Sequence, residues 1–172
     1  MIIDDNFLSS RNRDYIDQVI LSHNFPYYLQ LAFLEEDKKE QAIMCHCVLK
    51  REDERSPGEF WNSEHYQHYI DIFNNFMEKH NIEYKEILRC SVNLTFKSVQ
   101  ESCDVHDDHP FPHKQLLIYC NDCDIAATTT VLGDKTQVIS PKKYRGVCFD
   151  SAPHYMTYPK EGHRIVIVYT FR

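Results

Sequence analysis

Residues 146–172 read GVCFDSAPHYMTYPKEGHRIVIVYTFR, and their pattern decides the fold. An apolar run ends at Phe149, a Pro-containing turn delivers His154, and Pro159 and Gly162 mark a second turn before the alternating apolar strand Ile165 to Phe171. Successive side chains of a strand face opposite sides, so Arg164 shares a face with Val166 and Val168 while His163 turns away. Upstream, His106 and Asp108 stand two residues apart. On a strand rising about 3.3 Å per residue they point to one side, roughly 6 to 7 Å apart along the backbone, and Asp107 between them points outward.

Taken together these residues read H-x-D, a histidine 46 residues after Asp108 and an arginine ten residues after that histidine. Two imidazole nitrogens and one carboxylate oxygen make a 2-His-1-carboxylate triad, which fills one face of an octahedral ferrous ion and leaves the opposite positions open. The metal ligands expected are therefore His106, Asp108 and His154. Arg164 adds a demand for a carboxylate in the same cavity.

In these features the chain resembles the iron(II)- and 2-oxoglutarate-dependent dioxygenases, in particular small prolyl-hydroxylase-like members from bacteria and phages. The matching residues are Phe149, His154, Pro159, Gly162 and Arg164, with the H-x-D and its following strand, HDDHPFPHKQLLIYCNDCD, upstream. The resemblance covers about residues 87–172. It implies Fe(II), 2-oxoglutarate and O2 as cofactor and co-substrates, with Arg164 on the distal carboxylate of 2-oxoglutarate and Tyr119 and Thr128 beside it. The stretch DIAAT at 124–128 stands where many members carry D-G-G-E-T, so that turn differs in detail.

Length and composition agree. A chain of 172 residues with 42% hydrophobic residues fits one domain with a real core, and four Gly and seven Pro leave little room for a linker. No apolar run reaches membrane-spanning length and no secretory leader is evident, so the expected compartment is the cytoplasm. Seven cysteines, an odd number, speak against a disulfide framework. Cys45-His46-Cys47 and Cys120-x-x-Cys123 have zinc-like spacing, but both lie in apolar runs where reduced thiols behave as small hydrophobes. A net charge of −7 excludes broad phosphate neutralisation, and Lys135, Lys142, Lys143 and Arg145 read as solvated turn charges.

Along the chain, Ser9 or Ser10 caps a helix to about Leu21, and a stronger one spans about residues 63–80. Its stripe of Tyr66, Tyr69, Ile70, Phe73, Phe76 and Met77 is spaced for core packing. Residues 25–31 and 41–49 read as strands, and 50–59 as a charged loop with a Pro-Gly turn. From residue 86 the pattern is β, with short runs at 87–96, 103–108, 115–120, 125–132, 136–139, 146–150 and 163–171. Such spacing predicts a sandwich or barrel. With the resemblance it becomes a double-stranded β-helix of the jelly-roll, cupin-like type, buttressed by two N-terminal helices: one domain, 1–172, with helical support over about 1–85 and the catalytic core over about 86–172.

A cupin-like metalloenzyme without 2-oxoglutarate, isomerase or hydrolase, and a non-catalytic β-sandwich binding protein are the alternatives, and Arg164 argues against the first. The substrate is open between a peptide or protein side chain and a small molecule, since one scaffold hosts many chemistries. Arg89 and Asn93 share a strand face and are candidates to line the cavity. His109 and His113 read as surface loop residues, and Phe25 to Tyr28 as a wall of an open entrance.

Overall fold

The computed structural model describes residues 1–31, 42–55 and 61–172. The Pro57-Gly58 turn and the start of the second expected strand lie outside the described residues. Ten strands and two α-helices are present among them. The strands are β1 (Ile2–Asp4), β2 (Tyr28–Leu31), β3 (Ala42–Leu49), β4 (Ile87–Phe96), β5 (Lys114–Tyr119), β6 (Thr129–Leu132), β7 (Thr136–Ile139), β8 (Gly146–Asp150), β9 (His154–Met156) and β10 (His163–Phe171). Helix α1 spans Ser10–Tyr15 and continues as a π-helical turn over Ile16–Ile20; α2 spans Tyr66–Lys79.

A seven-stranded sheet has the order β1-β8-β5-β10-β4-β3-β2 and a three-stranded sheet the order β7-β6-β9, with every pairing antiparallel. The two sheets form the jelly-roll arrangement of a double-stranded β-helix, and both helices pack on the larger one. The region expected as a strand at 103–108 is not one. It touches the small sheet only through isolated bridges at Ser102–Thr157 and His106–His154.

Strand alternation gives the large sheet two different faces. Ile165, Ile167, Tyr169 and Phe171 of β10, with Leu116 and Ile118 of β5, pack against Ile16, Ile20, Tyr69, Phe73 and Phe76 from the helical side. The intervening residues Val166 and Val168, with Leu117, Tyr119, Val147 and Phe149, meet Val131 and Ile139 of the small sheet. Helix α1 begins where Ser9 accepts a hydrogen bond from the Asn12 amide at 3.2 Å, satisfying one of the free N–H groups of the first turn. In α2 the buried stripe is Tyr69, Ile72, Phe73, Phe76 and Met77, whereas Tyr66 is exposed and stacks on Trp61.

Gly146 is required by close approach. A Cβ there would lie 2.7 Å from Phe7 Cε1 and 2.8 Å from Phe76 Cε2, which have closed over the strand. Phe25 is buried on the helical side and the Tyr27 hydroxyl donates to the Ile20 carbonyl, so these residues belong to the helix-side core and not to an entrance wall. No helix among the described residues is long and apolar enough to cross a membrane. None of the seven cysteines is in a disulfide, and burial pushes the thiols of Cys45 and Cys148 up to about 11 and that of Cys120 to about 12. Lys142 and Arg145 pair with Asp5, and Lys143 with Asp17, so much of the basic turn is neutralised.

Candidate active site

Of the four residues singled out by the motif, Asp108, His154 and Arg164 are buried, and His106 is exposed beside His154 on the irregular 103–108 segment. His106 and His154 exchange both backbone hydrogen bonds at 3.0 Å, which sets their rings 4.6 Å apart between centroids. His106 Nδ1 lies 2.9 Å from the Asp104 carbonyl and His154 Nδ1 3.0 Å from the Ala152 carbonyl. A carbonyl only accepts, so each Nδ1 carries a proton, and in the neutral form of each ring Nε2 is the nitrogen with the lone pair. Fixing the tautomer from the far nitrogen is what a metal-binding histidine needs. Phe149 packs edge-on against the His154 ring at 5.6 Å.

Asp108 is buried, and its Oδ2 stands 3.7 Å from His154 Nε2. Its Oδ1 accepts from Arg89 Nη1 at 3.0 Å and from Arg51 Nη2 at 3.2 Å, while Arg51 Nη1 also donates to the Asp108 carbonyl. Burial raises the carboxyl pKa, but Arg89, then His154, Arg51 and His106, outweigh it and hold the group below its ordinary value. His154 is pushed down, chiefly by burial, and is therefore neutral near pH 7. A side-chain hydrogen bond to Cys103 lifts His106 to about 9. As they stand, no three His, Cys, Asp or Glu side chains among the described residues close around a common point. The donor set is chemically suited to a divalent ion once His106 gives up its second proton, as metal binding requires: two imidazole nitrogens and one ionised oxygen.

Arg164 lies on the inner face of β10, with Val166 and Val168, only 5% exposed. Its Nη2 donates to Thr129 Oγ1 at 2.9 Å and its Nη1 approaches Met156 Sδ at 3.3 Å, while the guanidinium sits 5.1 Å above the Tyr119 ring. Tyr119 and Thr129 share a hydroxyl–hydroxyl hydrogen bond of 2.8 Å. Buried Arg164 Nε has no partner, and no carboxylate among the described residues pairs with the side chain. Thr128 is not at this site, for its hydroxyl faces Thr157 at 3.4 Å; Thr129, one residue on and facing the opposite side, takes its place.

Of the remaining candidates, His163 is exposed against Phe96, and Arg89 reaches Asp108. Asn93 Oδ1 is buried and unpartnered, as are Ser91 Oγ on the same strand and Gln115 Oε1 on β5. His113 is buried, not a surface residue, and His109 bonds Thr170 Oγ1 at 2.8 Å; burial lowers His109 to about 4. A cavity of about 560 Å³ opens beside Asp108, walled by His109, Pro110, Phe111 and Pro153. Arg51 was not expected here. It meets Asp108 across 57 residues of sequence, from a charged segment that reads as ordinary loop.

No protein-family model matches the sequence, and no curated protein matches it. Solved structures do. An oxidoreductase of the 2OG-Fe(II) oxygenase family from Burkholderia pseudomallei superimposes with a TM-score of 0.73 at 16% identity, over 96% of this chain and 80% of that one. A prolyl hydroxylase from Trichoplax adhaerens, solved with a hypoxia inducible factor peptide fragment, gives 0.68 at 16% identity, over 99% and 82% of the two chains. A prolyl-4-hydroxylase from Pseudomonas putida gives 0.64 at 14%, over 99% and 91%. Across nearly its full length the chain thus has the fold of 2OG-Fe(II) oxygenases, with prolyl hydroxylases prominent among the matches.

Proposed function

We propose that the chain is a non-haem Fe(II)- and 2-oxoglutarate-dependent dioxygenase, which decarboxylates 2-oxoglutarate to succinate while oxidising a second substrate. The observation that carries this reading is Arg164, a buried cation with an unpartnered Nε and no carboxylate among the described residues to neutralise it. An uncompensated buried charge is costly, so a guanidinium held this way calls for an anion. The distal carboxylate of 2-oxoglutarate supplies one, in charge-assisted hydrogen bonds that the planar fork can make in pairs.

His106, Asp108 and His154 would hold the iron, through two Nε2 atoms and Asp108 Oδ2. Bound iron with O2 supplies the oxidising power, and the protein supplies placement and a dry cavity. Arg89 and Arg51 keep Asp108 ionised and engage its Oδ1, leaving Oδ2 turned toward His154. Tyr119 and Thr129 orient Arg164, while Thr128, expected beside the 2-oxoglutarate carboxylate, faces Thr157. Val131, Val147, Phe149, Val166 and Val168 keep water from the space between the sheets.

Anaerobic titration with Fe(II) and 2-oxoglutarate tests the reading through the weak visible charge-transfer band of the chelate. The band is expected in the wild type and in His163→Ala, and is expected to be absent in His106→Ala, Asp108→Ala and His154→Ala. Iron binding that survives loss of His154 and disappears with His163 would show the ligand assignment to be wrong.

A further inference from the structure

We infer that Met156 is a placeholder for the co-substrate carboxylate on Arg164, and that oxidation of its sulfur to the sulfoxide closes the site. This rests on the dioxygenase reading above and names a modification site that governs it. Thr129 and Met156 are Cα partners in the β6–β9 ladder, so their side chains share a face, and each gives the guanidinium one acceptor. Nη2 donates to Thr129 Oγ1 at 2.9 Å and Nη1 to Met156 Sδ at 3.3 Å, while Nε has no partner.

The two acceptors are unequal. A hydroxyl oxygen accepts well and a thioether sulfur weakly, so Nη1 and Nε are the donors that a ligand can improve. A carboxylate oxygen in place of the sulfur turns the weakest bond of the pocket into a charge-assisted one. The backbone cannot clear the way for it. Met156 is held by Thr129 on one side and by Cys103 on the other, where the Cys103 amide donates to the Met156 carbonyl at 3.0 Å and the Met156 amide donates to Cys103 Sγ at 3.2 Å. The side chain has to swing instead, and unbranched Met, with its three rotatable bonds, is suited to that. Thr129 is 2% exposed and Met156 half-buried, so of the two acceptors the sulfur is the one that solutes reach.

The same opening admits hydrogen peroxide. A sulfur lone pair attacks one peroxide oxygen, the O–O bond breaks, and the other oxygen departs as water with the proton of the first. The thioether is oxidised by two electrons, and the peroxide is reduced. The sulfoxide oxygen is a strong acceptor carried on the same side chain. Tethered beside Nη1, it competes with dissolved 2-oxoglutarate at high effective concentration, and the weak placeholder becomes a lasting one.

The test uses the full chain loaded with redox-inert Zn(II), with 2-oxoglutarate affinity read by titration calorimetry. Met156→Leu keeps the bulk and removes the acceptor, and should bind about two- to threefold more tightly than the wild type. Met156→Gln, which puts a neutral oxygen acceptor near the place of the sulfur, should bind about tenfold more weakly. Wild type treated with hydrogen peroxide, and then with a phosphine to reverse thiol oxidation, should carry one added oxygen on Met156 by peptide mapping. Its affinity should fall about tenfold, while treated Met156→Leu keeps its own. Exposed Met1 serves as the control for oxidation. Binding no tighter in Met156→Leu, undiminished in Met156→Gln, or lost equally when wild type and Met156→Leu are oxidised, overturns the inference, as does oxidation of Met1 with Met156 intact. All of these leave 2-oxoglutarate binding by the untreated wild type in place. An untreated wild type that takes up no 2-oxoglutarate overturns the dioxygenase reading, and this inference with it.

Discussion

The two faces of the large sheet are built from the same strands and do opposite work. On the helical face β10 contributes Ile165, Ile167, Tyr169 and Phe171, all at most 4% exposed, and the Tyr169 hydroxyl finds the Tyr69 carbonyl at 2.9 Å. On the inner face the same strand contributes Arg164 with an unpartnered Nε, and its neighbours contribute Ser91, Asn93 and Gln115, each with an unpartnered buried oxygen. Both faces bury unpartnered polar atoms, since Tyr15 Oη and Tyr69 Oη on the helical side lack partners as well, but the inner face combines them with a buried cation that has no carboxylate partner among the described residues. That unpaired charge, more than the orphan oxygens, marks where a ligand is expected to complete the structure.

Removing bulk from the helical face gives the largest expected effect. Phe73 is fully buried and packs edge-on against Tyr84 and Phe171 at 4.9 and 5.0 Å. Phe73→Ala is expected to cost about 3–5 kcal/mol, from lost transfer energy plus the cavity left behind. Urea unfolding measures it; a loss below about 1 kcal/mol would mean that the packing against α2 is not where the stability lies.

Adding bulk on the same face comes next. Gly146→Ala drives a methyl into the rings of Phe7 and Phe76 at 2.7–2.9 Å, and overpacking of this kind costs about 1–3 kcal/mol. A variant as stable as the wild type would show that these rings yield freely, and would weaken the contrast between a tight face and an open one.

Both faces of β10 were legible because its alternation is strict from His163 to Phe171, and the turn residues around β7 and β8 gave those strands correctly. The three-residue strands β1 and β9 were not, since so short a segment has no period to read and is set by its partner. The converse holds at 103–108. Its residues look like a strand, but the chain there makes only bridge contacts with the small sheet. At the site, the spacing of His106, Asp108, His154 and Arg164 was visible in order alone, and Tyr119 does lie under Arg164. The step from Thr128 to Thr129 is a one-residue register difference, which reverses the face a side chain takes. Arg51 left no local signal, because its role arises only when β3 is laid beside β4.

The rim of the sheet should respond least. Arg145 hydrogen-bonds Asp5 and lowers its pKa to about 2 from 3.8, with Lys142 helping against the opposing effect of burial. A depressed carboxyl stabilises the fold above the unfolded value and loses that contribution as pH falls from 3.8 toward about 2. Asp5 is 32% exposed, so solvent and salt screen the pair, and Asp5→Asn should cost under about 1 kcal/mol at pH 7. Melting curves of the two proteins should converge at the acid end. A difference that grows with acidification would contradict the sign of the shift.

The central claim is that the polar deficit on the inner face is a binding site, and Arg164 tests it most directly. Titration calorimetry of 2-oxoglutarate under nitrogen, with Fe(II) present, is made on the wild type, Arg164→Lys and Arg164→Met, alongside urea unfolding of each without ligand. The account predicts graded loss of affinity: noticeable for Lys, and on the order of 3 kcal/mol for Met, which removes the charge-assisted pair. Unfolding stability should change by less than about 1 kcal/mol, because an apolar side chain of similar length relieves a buried unpaired charge. Undiminished 2-oxoglutarate binding by Arg164→Met, or a protein that unfolds when the guanidinium is lost, would contradict it.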